Sequence, residues 1–297
     1  MTNGTGEQFE FYRFLLTHIE EPELPFREPK SKQEIIKNIF SNGKVYKFKN
    51  RGTEYGLYIK MVDENYVYAR LGKRMTKRIR TAPEDGFKSK DIEDWPGCDL
   101  FINLSDEKIS GKTKDNGQII AMQVNNVDVK YRLSVLQKFT DIVNKDISCY
   151  GLHLTINSIP SNKAHFWNVV TENKGKIKKV ILSYTPPNLL DLKSSLEEDL
   201  KKASEEFNST KVQIVLENNE GKLDLPQNNK LLQESAEYVD LGAGSFKLLL
   251  SGKKKAISSE DNIKTKNIYD IDLIYRSSEM TKEQLNKIMI ELLRGKS

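Results

Sequence analysis

Three short runs between residues 44 and 71 constrain the fold more than any other part of the chain. They are KVYKFK (44–49), EYGLYIKMV (54–62) and YVYARL (66–71). Aromatic and branched residues recur at alternate positions in them, which is typical of strands with one face in a core. The polar breaks Arg51-Gly52 and Asp63-Glu64-Asn65 are short enough for tight turns. The segment therefore predicts a β-meander.

The rest of the first half extends this pattern. Further strands are predicted over 9–19, 98–104 and 118–124. Ser31 and Glu34 predict a capping box for a short helix that ends near Gly43. Apolar residues at helical spacing over 131–144 predict an amphipathic helix of about four turns. The first half therefore predicts an antiparallel sheet or partial barrel, closed by a helix.

The second half alternates between strand and helix candidates. Strands are predicted over 152–159, 177–184, 211–216, 245–250 and 268–275, and helices over 162–171, 189–207, 227–239 and 281–293. This alternation favours a mixed sheet with helices. The predicted fold class is α+β, with a β-rich domain over 1–148 and an α/β sandwich-like domain over 149–297.

Composition excludes several classes of protein. The 297 residues suit two domains, and no stretch approaches the roughly 20 apolar residues of a membrane-spanning helix. The polar N-terminus lacks the basic region of a signal peptide. Cys98 and Cys149 are the only cysteines, too few for a disulfide framework or a structural zinc site. We expect a cytoplasmic protein without membrane insertion, metal or cofactor.

The distribution of charge says more than the net charge of +5. Residues 44–80, which we call the basic block, contain eleven Lys/Arg and three Asp/Glu. Residues 81–107, the acidic block, contain two Lys/Arg and eight Asp/Glu. Such a division predicts a dipolar surface rather than evenly spread charge.

The segment RLGKRMTKRIR (70–80) is the strongest candidate for a binding surface. The predicted phosphate contacts are Arg70, Lys73, Arg74, Lys77, Arg78 and Arg80, with Lys253, Lys254 and Lys255 as a second cluster. Lysines upstream, including Lys47 and Lys49, extend the patch. The alternative is that these side chains pair with acids in 84–94 or form a solvated face.

Aromatic residues accompany the basic block. Tyr46, Phe48, Tyr55, Tyr58, Tyr66 and Tyr68 alternate at strand spacing, which favours core and cross-strand packing over base stacking. No zinc finger, RNA-recognition signature or basic zipper is present. Binding to nucleic acid would then be directed at the backbone, weakly specific for sequence and strongly dependent on salt.

Catalytic patterns are weak. Gly111-Lys112-Thr113 lacks the first glycine of a phosphate-binding loop, and Gly242-Ala243-Gly244 fits a turn. His153-Leu154-Thr155 has no second His-x-Thr unit, so His153 is expected to be a core or edge residue. The remaining enzyme hypothesis is a metal-dependent nuclease that uses Asp99, Asp128 and Lys130.

The order of elements, carried by CDLFINLSDEKISGK (98–112) and GLHLTINSI (151–159), resembles the Rex-type exclusion proteins. This family includes exclusion protein A of phage lambda and related bacterial phage-defence proteins such as the Kiwa B component. The resemblance runs over about residues 45–275 and shares no functional residue. It implies a cytoplasmic, homodimeric, non-catalytic DNA-binding sensor in antiphage defence, with a second defence-system protein as a further partner.

The sequence therefore predicts a protein that binds duplex DNA without sequence preference, with RNA left open. The first alternative is the metal-dependent nuclease. The second is a protein-interaction module that uses the basic and acidic blocks to meet a partner or a second copy.

Overall fold

The computed structural model describes residues 6–19, 31–105, 118–125, 129–161, 165–186, 194–269 and 280–293. Its strands are β1 (Glu7–His18), β2 (Val45–Asn50), β3 (Thr53–Asp63), β4 (Tyr66–Lys73), β5 (Met75–Arg80), β6 (Ser89–Asp94), β7 (Gly97–Asn103), β8 (Ile119–Gln123), β9 (Leu152–Ser158), β10 (Ile177–Tyr184), β11 (Val212–Glu217), β12 (Gly244–Leu250), β13 (Ile257–Ser258) and β14 (Thr265–Ile268). Its helices are α1 (Lys32–Ile39), α2 (Arg132–Ile147), α3 (His165–Glu172), α4 (Ser195–Phe207), α5 (Lys230–Asp240) and α6 (Lys282–Leu293). The predicted α+β class is confirmed.

A large antiparallel sheet curls into a half-barrel. Its order is β14-β1-β8-β7-β4-β3-β2, and β9 pairs with the second half of β1. The predicted meander forms β2, β3 and β4. Along β2, Tyr46 and Phe48 are buried while Val45 and Lys47 are exposed, because alternate side chains point to opposite faces.

Helix α2 packs against both β9 and β2, which lie at opposite ends of this sheet. Its apolar face enters the main core, where the Phe139 ring lies 5.1 Å from the Tyr46 ring. The predicted helix that closes the β-rich half is therefore present. The capping box predicted for Ser31 and Glu34 is also confirmed at the start of α1.

The second sheet has the order β11-β10-β12-β13, and α3, α4 and α5 contribute to its core. All its described pairings are antiparallel, which corrects the expected mixed sheet. The reason is that β9 pairs with β1 in the large sheet, so β10 has no parallel partner. Strand β14 also pairs with β1. Strand pairing thus crosses the boundary predicted at 148/149, and the division into two domains stays a prediction.

Helix α6 covers part of the outer face of the half-barrel. Its residues Leu285, Ile288 and Met289 pack in a third cluster with Phe101 and Tyr68. The predicted strand over 268–275 overlaps β14 only at its first residue, and 270–279 lie outside the described residues. Within the described ranges, no helix has the length and apolar character needed to cross a membrane.

Candidate nucleic-acid interface

The outer face of the half-barrel carries a row of glycines beside α6. The strand register aligns two rows of residues across β2, β3, β4 and β7. One row is Lys47, Gly56, Gly72 and Gly97, and the next is Val45, Tyr58, Arg70 and Asp99. A Cβ atom at Gly97 would lie 1.8 Å from the carbonyl oxygen of Leu71. Glycine is required at Gly97 because the backbones of β4 and β7 approach closely there.

The glycine row makes room for Trp95. Three carbons of its six-membered ring lie 3.3–3.9 Å from the position that a Cβ atom of Gly56 would take. A Cβ atom at Gly72 would meet the Cβ atom and backbone oxygen of Trp95 at 3.3 Å. The indole N–H donates to the Glu93 carboxylate at 2.8 Å. Trp95 is therefore held against the sheet in one orientation.

We call the surface formed by the exposed Val45, Lys47, Tyr58, Lys60 and Arg70 and the half-buried Trp95 the shelf; it borders a depression of about 370 Å³. Tyr58 is 44% exposed and Val45 is 53% exposed. The Lys60 ammonium lies 5.2 Å from the centre of the Tyr68 ring, which belongs to the cluster under α6. The shelf thus begins where the cover of α6 ends.

The shelf is positively charged. Lys47 and Lys60, together with the neighbouring exposed Lys49, make no ion pair within the described part of the chain. Among the described residues, Glu93 is the only carboxylate that borders the depression. The Trp95 indole and the Arg74 guanidinium lower the pKa of Glu93, so this carboxylate is ionised but already bonded to a cation. Its charge is offset before any ligand arrives.

Most of the predicted basic segment lies in a separate hairpin. Strands β5 and β6 pair with each other in a two-stranded sheet, and we call residues 74–94 the arm. Arg78 and Arg80 are alternate residues of β5 and share one face, as predicted for an extended segment, whereas Arg74 lies between β4 and β5. The arm contains six Lys/Arg and five Asp/Glu, so it is almost neutral.

Three of the predicted arginines are paired with carboxylates. Arg74 binds Glu54 at 3.0 Å and Glu93 at 2.8 Å, and Arg78 binds Asp91 at 2.9 Å. Arg70 lies 3.6 Å from Asp99. Lys73, Lys77 and Arg80 make no ion pair among the described residues. The pairing with the acidic block that the sequence left open is therefore present for Arg74 and Arg78.

The tip of the arm carries an exposed aromatic ring. The turn contains a 3-10 segment, Pro83–Asp85, and Gly86 with a φ of 73°. Phe87 follows with 58% of its surface exposed. The arm therefore offers an apolar contact that the charge pattern does not reveal.

The second predicted cluster, Lys253, Lys254 and Lys255, lies in the turn between β12 and β13 of the second sheet. All three lysines are exposed. Lys255 pairs with Asp261 at 3.3 Å, which leaves the other two as the more available cations.

The two nuclease candidates that the structure describes, Asp99 and Lys130, differ in burial. Asp99 is buried, accepts a hydrogen bond from the Tyr68 hydroxyl at 2.9 Å and faces Arg70. Lys130 is exposed, and Asp128 lies outside the described residues. No group of three metal-ligating side chains occurs in the described ranges. The nuclease alternative therefore stays a prediction.

A second, polar cleft of about 660 Å³ separates α2 and β9 from the outer face of the second sheet. His153 lines it from β9, half-buried, with its Nε2 atom 3.4 Å from the Asn144 amide nitrogen. Burial lowers the pKa of His153. His153 is thus an edge-strand residue, as predicted. Gly242 lies in a turn before β12, whereas Gly111-Lys112-Thr113 lies outside the described residues.

Packing was predicted correctly for five of the six aromatic residues, since Tyr46, Phe48, Tyr55 and Tyr68 are buried and Tyr66 packs against the third cluster. Sequence reasoning missed Tyr58 as an exposed ring, and it missed Trp95 entirely. The available signal was a glycine inside β3, Gly56, together with Gly72 near the end of β4 and Gly97 at the start of β7. Glycine within strand patterns often marks a place where another group approaches the backbone closely.

No protein-family model matches the chain, and neither a curated protein nor a solved structure matches it.

Proposed function

We propose that the protein binds DNA without sequence preference, through phosphate contacts made by the outer face of the half-barrel. Three exposed lysines on β2 and β3 carry the proposal: Lys47, Lys49 and Lys60. None of them makes an ion pair in the described part of the chain. Arg70 adds a guanidinium to the same face. Lysine and arginine cations that neutralise phosphates supply the sequence-independent part of DNA affinity by releasing counterions.

The arrangement of these cations suits a polyanion. Lys47 and Lys49 are alternate residues of one strand, so their side chains leave the same face about 7 Å apart. Lys60 and Arg70 extend the row across β3 and β4. Because one rigid sheet presents all four side chains, few backbone degrees of freedom are lost when phosphates bind.

The test is binding of a labelled random duplex between about 50 and 200 mM salt. Replacement of Lys47, Lys49 and Lys60 by alanine should weaken binding and lower the slope of log K against log salt by about three, one for each lysine. The matched control replaces Lys174, Lys176 and Lys202, exposed lysines that likewise make no ion pair within the described part of the chain. Equal slopes for the two variants would refute the proposed surface.

A cytoplasmic homodimer in antiphage defence belongs to the same proposal, supported by the resemblance to Rex-type proteins. The expected result is that the Lys47/Lys49/Lys60 variant loses protection in a plaque assay while the Lys174/Lys176/Lys202 variant keeps it. Sedimentation of the purified protein tests the dimer.

The exposed Phe87 at the tip of the arm favours protein interaction as a second candidate function. Exposed aromatic rings are enriched at protein interfaces. If the arm joins two copies, Phe87→Ser should shift a sedimenting dimer to monomer without changing the far-UV circular dichroism.

A further inference from the structure

We propose that the shelf stacks unpaired bases, so that the protein prefers single-stranded DNA to duplex. This inference rests on the proposed DNA binding and adds the form of DNA that the site selects. Phosphate contacts alone do not make this selection, because both forms present phosphates.

The first support is the position of the indole. Trp95 lies on Gly56 and Gly72, where an added Cβ atom would lie only 3.3 Å from its nearest atoms, so Trp95 would have to shift to make room for a larger residue. Its N–H is bonded to Glu93, and Glu93 is bonded to Arg74. The ring is therefore fixed before a ligand arrives, and little conformational entropy is lost when a base stacks on it.

The second support is the neighbouring ring. Tyr58 lies between Val45 and Arg70 in the adjacent cross-strand row, with 44% of its surface exposed. Four of the other five tyrosine and phenylalanine residues in the meander are buried. Tyr58 and Trp95 thus offer two ring surfaces on one side of the sheet, beside the same depression.

The third support is the charge around the rings. Lys47, Lys60 and Arg70 border the depression, and the Glu93 carboxylate beside them is already paired with Arg74. Aromatic rings bordered by cations are the arrangement by which proteins bind single-stranded nucleic acid, since bases stack while phosphates meet the cations. In a duplex the bases remain stacked on one another and only the phosphates are available.

The experiment compares three labelled ligands of about 12 nucleotides: an oligothymidylate, an abasic strand with the same number of phosphates and a duplex. The wild-type protein should bind the oligothymidylate about tenfold more tightly than the abasic strand or the duplex. Trp95→Ala should remove this preference, whereas Trp95→Phe should retain most of it. Phe87→Ala, which removes an exposed ring outside the shelf, should leave the preference unchanged.

A second readout needs no change in the shelf. The chain has two tryptophans, so Trp167→Phe leaves Trp95 as the sole indole. Stacking of thymine on Trp95 should quench its fluorescence, and the abasic strand should not. Absence of quenching at saturating oligothymidylate overturns the proposal, even if Trp95→Ala proves unstable.

The outcomes separate the two proposals. If none of the ligands binds, DNA binding itself fails, and base stacking fails with it. If all three bind equally and Trp95→Ala changes nothing, base stacking is wrong while phosphate-directed binding stands.

Discussion

The shelf and the arm both derive from the basic block, yet they differ in how their charges are used. In the arm, cross-strand register sets Arg78 opposite Asp91, and Arg74 bridges Glu54 and Glu93. On the shelf, Lys47 and Lys60 stand beside glycine, tyrosine and valine positions. A run of basic residues in the sequence therefore does not measure the positive charge on a surface. The register of the neighbouring strand decides which cations remain available.

The largest effect should follow from reversing charge on the shelf. The double change Lys47→Glu and Lys60→Glu should weaken duplex binding on the order of a hundredfold at low salt, because it removes two phosphate contacts and adds repulsion. The comparison variant carries Arg78→Glu and Arg80→Glu in the arm. These two changes should lower the affinity for duplex DNA much less. An anisotropy titration in which the arm variant loses more affinity would reverse the comparison and restore the arm as the main contact.

Substitution of a glycine by alanine should affect the free energy of unfolding differently beside the shelf and in the arm. Gly97→Ala should lower the free energy of unfolding by about 2–3 kcal/mol, because its Cβ atom would collide with the backbone of β4. Gly86→Ala in the arm meets no atom within 4 Å and should cost about 1 kcal/mol, from its positive φ alone. Urea denaturation measures both values. Equal losses would mean that β4 and β7 can separate at this point without disturbing the core.

Much of this architecture follows from local sequence, but the shelf does not. The alternation over 44–71 predicts β2 to β4, and Ser31 with Glu34 predicts the start of α1. By contrast, the pairing of β9 with β1 joins residues more than a hundred positions apart, and its alternating pattern fits either sheet. Trp95 meets Gly56 and Gly72 only through the register of three strands. The exposed ring at Tyr58 depends likewise on which part of the outer face α6 covers.

A variant with a shortened arm tests whether the arm contributes to DNA binding. Thr76 and Glu93 form a cross-strand pair, so an Asn-Gly turn can replace residues 77–92 while Arg74, Glu93 and Trp95 are retained. The variant should fold, since the part of β5 and β6 that is removed pairs, among the described strands, only within the arm. Its affinity for duplex DNA should fall by less than about threefold, because five basic and three acidic residues leave together. A tenfold loss would show that Lys77, Arg78 or Arg80 contacts phosphate, as the sequence alone predicts.

The smallest effect concerns the ion pair between Arg78 and Asp91. Both side chains are largely exposed, at 72% and 52%, so water and salt screen their attraction. The weak attraction that remains is offset by the entropy lost when two long side chains are held in one geometry. In a double-mutant cycle, Arg78→Ala and Asp91→Ala should therefore shift the urea midpoint additively, with no coupling above experimental error.

The same variants also test whether the ion pair affects DNA binding. If Asp91 restrains Arg78 from reaching phosphate, Asp91→Ala should raise affinity for duplex DNA slightly at low salt, and this gain should vanish in the Arg78→Ala background. A gain that persists without Arg78 would instead reflect the loss of one negative charge near the shelf, and the arm would then act on DNA only through its net charge.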